Sequence, residues 1–142
     1  MKNTSKIALF ALCSAMLAWA HHGSAVSYDL AKKVTMEGTI TDFKYINPHP
    51  ALFWDVKDDK GNITHWTGEI APNVAQLQQE GWGRRRSEAA LASGTKVTIT
   101  LSPSRAGGPV GLIQKIENAA GESVLGQIGL GAPPPASEPT KK

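Results

Sequence analysis

The sequence predicts a small all-β domain, a five- to six-stranded OB-like barrel with a short helical connection. Segments that alternate apolar and polar residues, or that are rich in aromatic and β-branched residues, predict strands over residues 34–42, 51–57, 63–70, 96–101 and 110–117. Between the third and fourth of these segments the period becomes helical, over about residues 72–91. Three strands, a helical connection and two strands follow the order of the OB fold. A generic small β-sandwich is the alternative.

The first predicted strand places Val34, Met36 and Ile40 on one face. Gly38 lies inside this pattern, where a glycine often marks a bulge or a sharp bend of a small barrel. The strand ends in residues 45–50, which contain two prolines. Because proline cannot donate to a β-ladder, this segment is predicted to be a rigid turn.

The second predicted strand has the inward residues Leu52, Trp54 and Val56. Residues 58–62 form the hairpin loop to the third strand, with Gly61 where a left-handed residue is needed. In the helical connection, Val74 and Leu77 have helical spacing and Gly81 ends the first helix; a second short helical turn covers residues 84–91. The fourth strand turns the residues Val97, Ile99 and Leu101 inward.

The domain limits follow from the composition of the two ends. Residues 21–33 are small and polar and form an irregular N-terminal arm, with Val26 and Tyr28 as candidates to anchor it on the barrel. The barrel domain comprises residues 34–131, and its glycine-rich stretch 118–131 is interpreted as a last hairpin. Residues 132–142 are rich in proline and predict a disordered tail.

Residues 1–20 have the three parts of a cleavable secretory signal peptide. Lys2 and Lys6 give a basic start, residues 7–17 are an uncharged and mostly apolar run, and residues 18–20 place small residues at the cleavage site. The apolar run is too short to cross ~30 Å of hydrocarbon as a helix. A lipid anchor on Cys13 is rejected because Leu12 is too bulky before a lipoprotein cysteine. We therefore expect a periplasmic or secreted protein that begins at His21.

Cleavage changes the charge and the thiol chemistry of the chain. Of the 15 lysine and arginine residues two leave with the leader, so that 13 remain against 12 acidic residues. A nucleic-acid partner is not expected, because such proteins carry a strong basic footprint. The only cysteine also leaves, which excludes disulfides and thiol catalysis. No later segment is long and apolar enough to span a membrane.

The four histidines of the chain, His21, His22, His49 and His65, predict a metal site. At a free N-terminus, the α-amine and the imidazole of His21 form a chelate ring, and both are deprotonated at modest cost near neutral pH. One more imidazole completes a three-nitrogen, T-shaped site suited to Cu(II). His49 is the best candidate for it, since Pro48 and Pro50 stiffen its loop; His22 and His65 are further candidates.

Three alternatives to this metal site stay open. If there is no metal site, the His21-His22 pair is only a flexible polar end, His49 is a turn residue, and His65 is an ordinary surface residue of the third strand. If Trp66 faces inward, alternation turns His65 outward. Cleavage one residue earlier would place a histidine third in the chain, where it binds Cu(II) through backbone amide nitrogens and without His49.

A second hypothesis is a metal-independent module that binds a cell-envelope protein or a glycan. Aromatic residues cluster on the first three strands, and this part of an OB barrel binds oligonucleotides and oligosaccharides. The residues of this predicted ligand surface are Phe43, Tyr45, Phe53 and Trp66, with Trp54 beside them. The alternative, that most of these side chains are core or half-buried strand residues, stays open. No Ser/His/Asp or Cys/His constellation is apparent, and Asp58 and Asp59 are explained by their turn, so we do not expect an enzyme.

Several segments together resemble a family of small exported bacterial proteins called domain of unknown function 6152. The resemblance covers about residues 21–117 and rests on Ala20-His21-His22, the stretch 34–41, Ile46-Asn47-Pro48-His49, residues 55–58, Trp66, Pro72-Asn73, Gly81-Trp82 and residues 94–97. It implies a secreted or periplasmic β domain with no established activity.

Overall fold

A computed structural model of the chain describes residues 23–126. The predicted signal peptide, His21, His22 and the proline-rich tail lie outside these residues. The described strands are β1 Val34–Lys44, β2 Ala51–Lys57, β3 Ile63–Ile70, β4 Lys96–Pro103, β5 Val110–Asn118 and β6 Ser123–Val124. The described helices are α1 Gly23–Ser27, α2 Val74–Gln79 and α3 Arg84–Ala90.

The strands close into the predicted barrel. The sheet has the order β3-β2-β1-β4-β5-β6, and an additional parallel pairing joins β3 to β5. Strands β1 to β5 therefore form a closed ring, with both helices of the connection between β3 and β4. This is the OB-like topology that the element order predicts, and the sandwich alternative is wrong. The predicted last hairpin is also present, since β6 pairs with the end of β5.

A bulge in β1 decides which of its residues face the core. The pairing with β2 shifts register between Ile40 and Asp42, so that Thr41 is the extra residue. A bulge of one residue reverses the alternation beyond it. Ile40 faces inward before the bulge, and the inward residues after it are Phe43 and Tyr45.

Gly38 is required for a close approach rather than for the predicted bulge. A Cβ atom at this position would lie 2.6 Å from Cδ1 of Trp54 and 3.0 Å from the carbonyl oxygen of Asp55. The indole of Trp54 is fully buried and fills the space that a side chain at position 38 would need. Gly61, by contrast, has the predicted role, with a φ of +87° in the β2–β3 loop.

The core lies inside the barrel and under α2. Its members come from the inward positions of every long strand and from the helical connection; the fully buried large side chains are Ile40, Leu52, Trp54, Ile70, Leu77, Leu91, Ile99, Leu101, Leu112, Ile113, Ile116 and Leu125. The predicted inward residues of β4 and α2 are among the buried residues of this cluster. A capping box, in which Asn73 and Gln76 each accept from the other's backbone N–H, begins α2.

The N-terminal arm is attached to the β4–β5 loop (residues 104–109). Tyr28 forms an isolated antiparallel bridge with Ser104. The Asp29 N–H donates to the carbonyl of Pro103 at 2.9 Å, and the Arg105 N–H donates to that of Ser27 at 2.9 Å. Within residues 23–126, no helix has the length and apolar character needed to span a membrane.

Candidate functional site

His49 lies in the β1–β2 loop (residues 45–50), with one ring nitrogen fixed by the backbone. Its Nδ1 is 3.2 Å from the carbonyl oxygen of Ile70, at the end of β3. Because a carbonyl oxygen only accepts, Nδ1 carries the hydrogen in this contact. In the neutral imidazole Nε2 then carries the lone pair. A backbone carbonyl that fixes the tautomer in this way is typical of histidines that bind metals.

Glu69 on β3 faces the other nitrogen of this ring. Its Oε1 is 4.0 Å from His49 Nε2, and its Oε2 accepts a hydrogen bond of 3.2 Å from the hydroxyl of Tyr28. The side chains of His49 and Glu69 keep 31% and 40% of their accessible surface. An imidazole nitrogen and a carboxylate oxygen therefore face the same solvent-accessible space.

Tyr28 is protonated when it makes this contact. Burial, followed by the negative charge of Glu69 and the hydrogen bond to it, raises the pKa of the Tyr28 hydroxyl above its ordinary value of 10.0. At neutral pH the hydroxyl is therefore a donor, and Glu69 is the acceptor. One carboxylate oxygen holds the arm, while the other oxygen lies beside His49.

The sequence indicates Tyr28 as an anchor of the arm on the barrel, but the predicted site includes neither Tyr28 nor Glu69. On β3, Glu69 is four positions after His65, and the two side chains therefore lie on the same outer face. If Trp66 faces inward, the same alternation predicts that the side chain of Glu69 lies on the outer face. The contact of Tyr28 crosses 41 residues of sequence, and no local pattern indicates it.

His65 does not join His49. Its Nδ1 is hydrogen-bonded to Oδ1 of Asp55 on β2, and its side chain is 82% exposed. Glu69, the neighbour of His49, is four residues further along β3, or about 13 Å. Among residues 23–126, no group of three or more histidine, cysteine, aspartate or glutamate side chains is placed to hold a metal ion. His65 is thus not positioned as a ligand of the same ion as His49.

Most of the predicted aromatic ligand surface belongs to the core. Tyr45 is 3% exposed, and its hydroxyl donates to the carbonyl of Trp82 at 3.0 Å, so its assignment to a ligand surface is wrong. Phe43 and Trp66 are half-buried and pack against the core, with Trp66 stacked on Trp54 at 5.9 Å. The bulge at Thr41 turns Phe43 and Tyr45 inward, and alternation does the same for Trp66.

Phe53 is the predicted aromatic residue that faces outward. It alternates with the buried Leu52 and Trp54 on β2 and is half-buried itself. The ammonium group of Lys44 lies 5.3 Å from the centre of its ring. The outer face of β2 and β3 thus carries Phe53 between the two histidine–carboxylate pairs.

A polar groove of about 520 Å³ is lined in part by Asp55, the partner of His65. It follows the outer side of β1 and its neighbours, and both charge signs line it. Its lining side chains include Glu37, Asp55, Lys57, Lys96, Thr98 and Glu117.

Comparison with known proteins identifies the family of the chain. No curated protein matches the chain at a significant level. The model of a family of unknown function, DUF6152, matches residues 9–114, which is most of the chain. The chain therefore belongs to the DUF6152 family.

Proposed function

We propose that this protein is an exported, non-enzymatic binding domain that binds Cu(II) through its mature N-terminus and His49. The ligands are the α-amine and imidazole of His21 together with Nε2 of His49. His22, which follows His21 in the chain, is a further candidate ligand. Three nitrogen ligands in a T-shaped arrangement suit Cu(II). Export to the periplasm or the exterior follows in this proposal from the leader at residues 1–20.

The state of the His49 ring is the observation that carries the proposal. A metal binds an imidazole through a nitrogen that holds a lone pair, and the carbonyl of Ile70 leaves that lone pair on Nε2. The ring is thereby oriented before a metal arrives, which lowers the ordering cost of binding.

Attachment of the arm supports the same site. Tyr28 reaches Glu69, whose other oxygen lies 4.0 Å from His49 Nε2. The five residues of α1 precede Tyr28, and α1 starts two positions after His21. Two residues span at most ~7 Å and a five-residue helix ~7.5 Å. In this proposal the path from Tyr28 to the mature N-terminus is therefore at most about 15 Å long.

Calorimetric titration of Cu(II) into the processed protein tests this function. We expect His49→Ala to weaken binding by more than about tenfold, because changes outside the ligand shell already cost 10–100-fold in other metal sites. The matched control is His65→Ala, which removes the other barrel histidine and should leave the affinity unchanged. Equal affinities of the wild type and His49→Ala would refute the proposed site.

Export has its own test. Mass spectrometry of the protein recovered from the periplasm or the medium should give a chain that begins at His21. A mature chain that does not start with a histidine would remove the chelate on which the proposal depends.

The groove favours a second candidate function, a metal-independent module for a glycan or an envelope protein. Its walls offer carboxylates, ammonium groups and threonine hydroxyls, which suit a polar ligand. Binding of a glycan or protein that persists in chelator and is lost in Lys57→Ala/Lys96→Ala would support this function. A partner that is retained by this double variant would exclude the groove as its binding site.

A further inference from the structure

One edge of β3 is open along the first half of the strand. β2 pairs with β3 along its whole length, whereas β5 pairs with the other side of β3 only from Thr67 onward. Within the described part of the chain, residues 63–66 therefore have no strand on the β5 side. Such an edge presents unpaired backbone groups to which another strand can bind.

Two residues direct their backbone groups to this open edge. The Thr67 N–H donates to the residue before β5, and the Ile70 N–H donates to the residue before β2. Because successive residues of a strand face opposite neighbours, Ile63 and His65 have the orientation of Thr67. No strand or loop among residues 23–126 pairs with these two residues on that side, so each offers an N–H donor and a C=O acceptor.

Exposed apolar side chains lie at both ends of the open edge. Ile63 is 55% exposed, and Val110, the neighbour of Thr67 on β5, is 37% exposed. Both lie on the outer face, since Thr67 follows Ile63 by four positions. Residues 62–68 contain no proline, lysine, arginine, aspartate or glutamate, and the pairing of β2 with β3 has no bulge. The devices that commonly protect a sheet edge from pairing are thus missing here.

We propose that the open edge binds a second copy of the same chain, antiparallel and about a two-fold axis at Thr64. In this arrangement Ile63 of each copy lies opposite the partner's His65, and each such pair exchanges two hydrogen bonds. Every N–H and C=O group that the two open edges offer is then paired.

The open edge is complementary to itself, which favours a second copy as its occupant. The same residues serve both sides, as an isologous two-fold interface requires. The antiparallel direction leads Ile63 toward the partner's Val110, and the two Thr64 residues form a cross-strand pair of a favourable kind. Because residues 62–68 carry no lysine, arginine, aspartate or glutamate, two copies do not face each other with like charges from these residue types.

The small size of the interface determines its expected strength. Residues 63–65 of each copy are far fewer than the roughly 20–30 residues a side of a standard interface. We therefore expect a weak dimer that forms at high protein concentration.

Disulfide cross-linking tests the position of the axis. Opposed residues that do not exchange hydrogen bonds have Cα atoms about 4.5 Å apart, which a disulfide can bridge. A chain that begins at His21 contains no cysteine, so Thr64→Cys introduces a single thiol. On air oxidation this variant should form a covalent dimer much faster than Thr35→Cys, which changes an exposed threonine of β1. A Thr64→Cys variant that cross-links no faster than Thr35→Cys would overturn the proposed pairing.

Sedimentation over a range of protein concentrations tests the dimer without a thiol. Ile63→Lys places a charge on the open edge of both copies and should raise the dissociation constant at least about tenfold. The matched control is Ile46→Lys, at an isoleucine of the β1–β2 loop that is 50% exposed, and it should dimerise like the wild type. A wild type that stays monomeric at every concentration, or an equal effect of the two substitutions, would overturn the proposal.

Discussion

At the scale of single residues, the neighbours of the two barrel histidines distinguish them. Each donates through Nδ1 to an oxygen, His49 to the Ile70 carbonyl and His65 to Asp55. His49 also faces the carboxylate of Glu69, which accepts a hydrogen bond from Tyr28 of the N-terminal arm, whereas the ring of His65 projects into solvent. A count of histidines in the sequence cannot make this distinction, because it depends on contacts between distant segments.

Asp58 is the residue for which a pH dependence is expected. Its carboxylate accepts from the backbone N–H groups of Lys60 and Asn62 and from the amide of Asn62. The hydrogen bonds from Asn62, followed by the other loop contacts, lower the pKa of Asp58 below its ordinary value of 3.8. These bonds therefore stabilise the fold above the ordinary pKa, and the stabilisation is lost as the pH falls through the lowered one.

Comparison of the wild type with Asp58→Ala by urea unfolding measures this effect. The variant should be less stable at neutral pH, and the difference should shrink as the pH falls below 3.8. A difference in the free energy of unfolding that stays constant from pH 7 to pH 2 would show that the charge of Asp58 contributes nothing.

At the scale of secondary-structure elements, the sequence predicts the strands well and the bulge poorly. β3 is found at the predicted residues, and β4 and β5 differ from their predicted bounds by two residues or fewer. Alternation with a period of two determines these strands locally. The bulge at Thr41 has no such signal, since it is defined by the register against β2. That one residue reverses the faces of Phe43 and Tyr45 and explains why Tyr45 does not belong to a ligand surface.

Gly38 gives the element-scale prediction. In Gly38→Ala the new Cβ must displace Trp54 or the backbone at Asp55, both of which are packed in the barrel. Overpacking of this kind costs about 1–3 kcal/mol. Thermal or urea unfolding of the variant should show this loss of stability.

The matched control for this substitution is Gly83→Ser. Position 83 precedes α3 with a φ of −68°, and a Cβ there would meet nothing within 4 Å. Serine also supplies the side-chain cap that α3 lacks, so its stability should be equal to or above that of the wild type. Equal stability of Gly38→Ala and the wild type would contradict the close approach to Trp54.

At the scale of the whole molecule, the closed barrel holds the described part of the N-terminal arm. Closure through the parallel β3–β5 pairing fixes Glu69 and Ile70 relative to the β4–β5 loop. The arm is bonded to this loop, and His49 is bonded to Ile70. The composition and order of the elements predict the barrel, and the leader predicts a new N-terminus. The sequence indicates Tyr28 as an anchor of the arm, whereas its partner Glu69 depends on the closed topology and was not predictable from any one segment.

The central claim is that the new N-terminus and His49 bind one ion. The most direct test is Cu(II) EPR of two forms of the protein, one that begins at His21 and one that retains Ala20, each with and without His49→Ala. In the first form, loss of His49 should change the spectrum and weaken binding. In the second form a histidine is third in the chain, so Cu(II) should bind through backbone amides, independently of His49. Spectra that are identical in both forms and insensitive to His49→Ala would contradict the account.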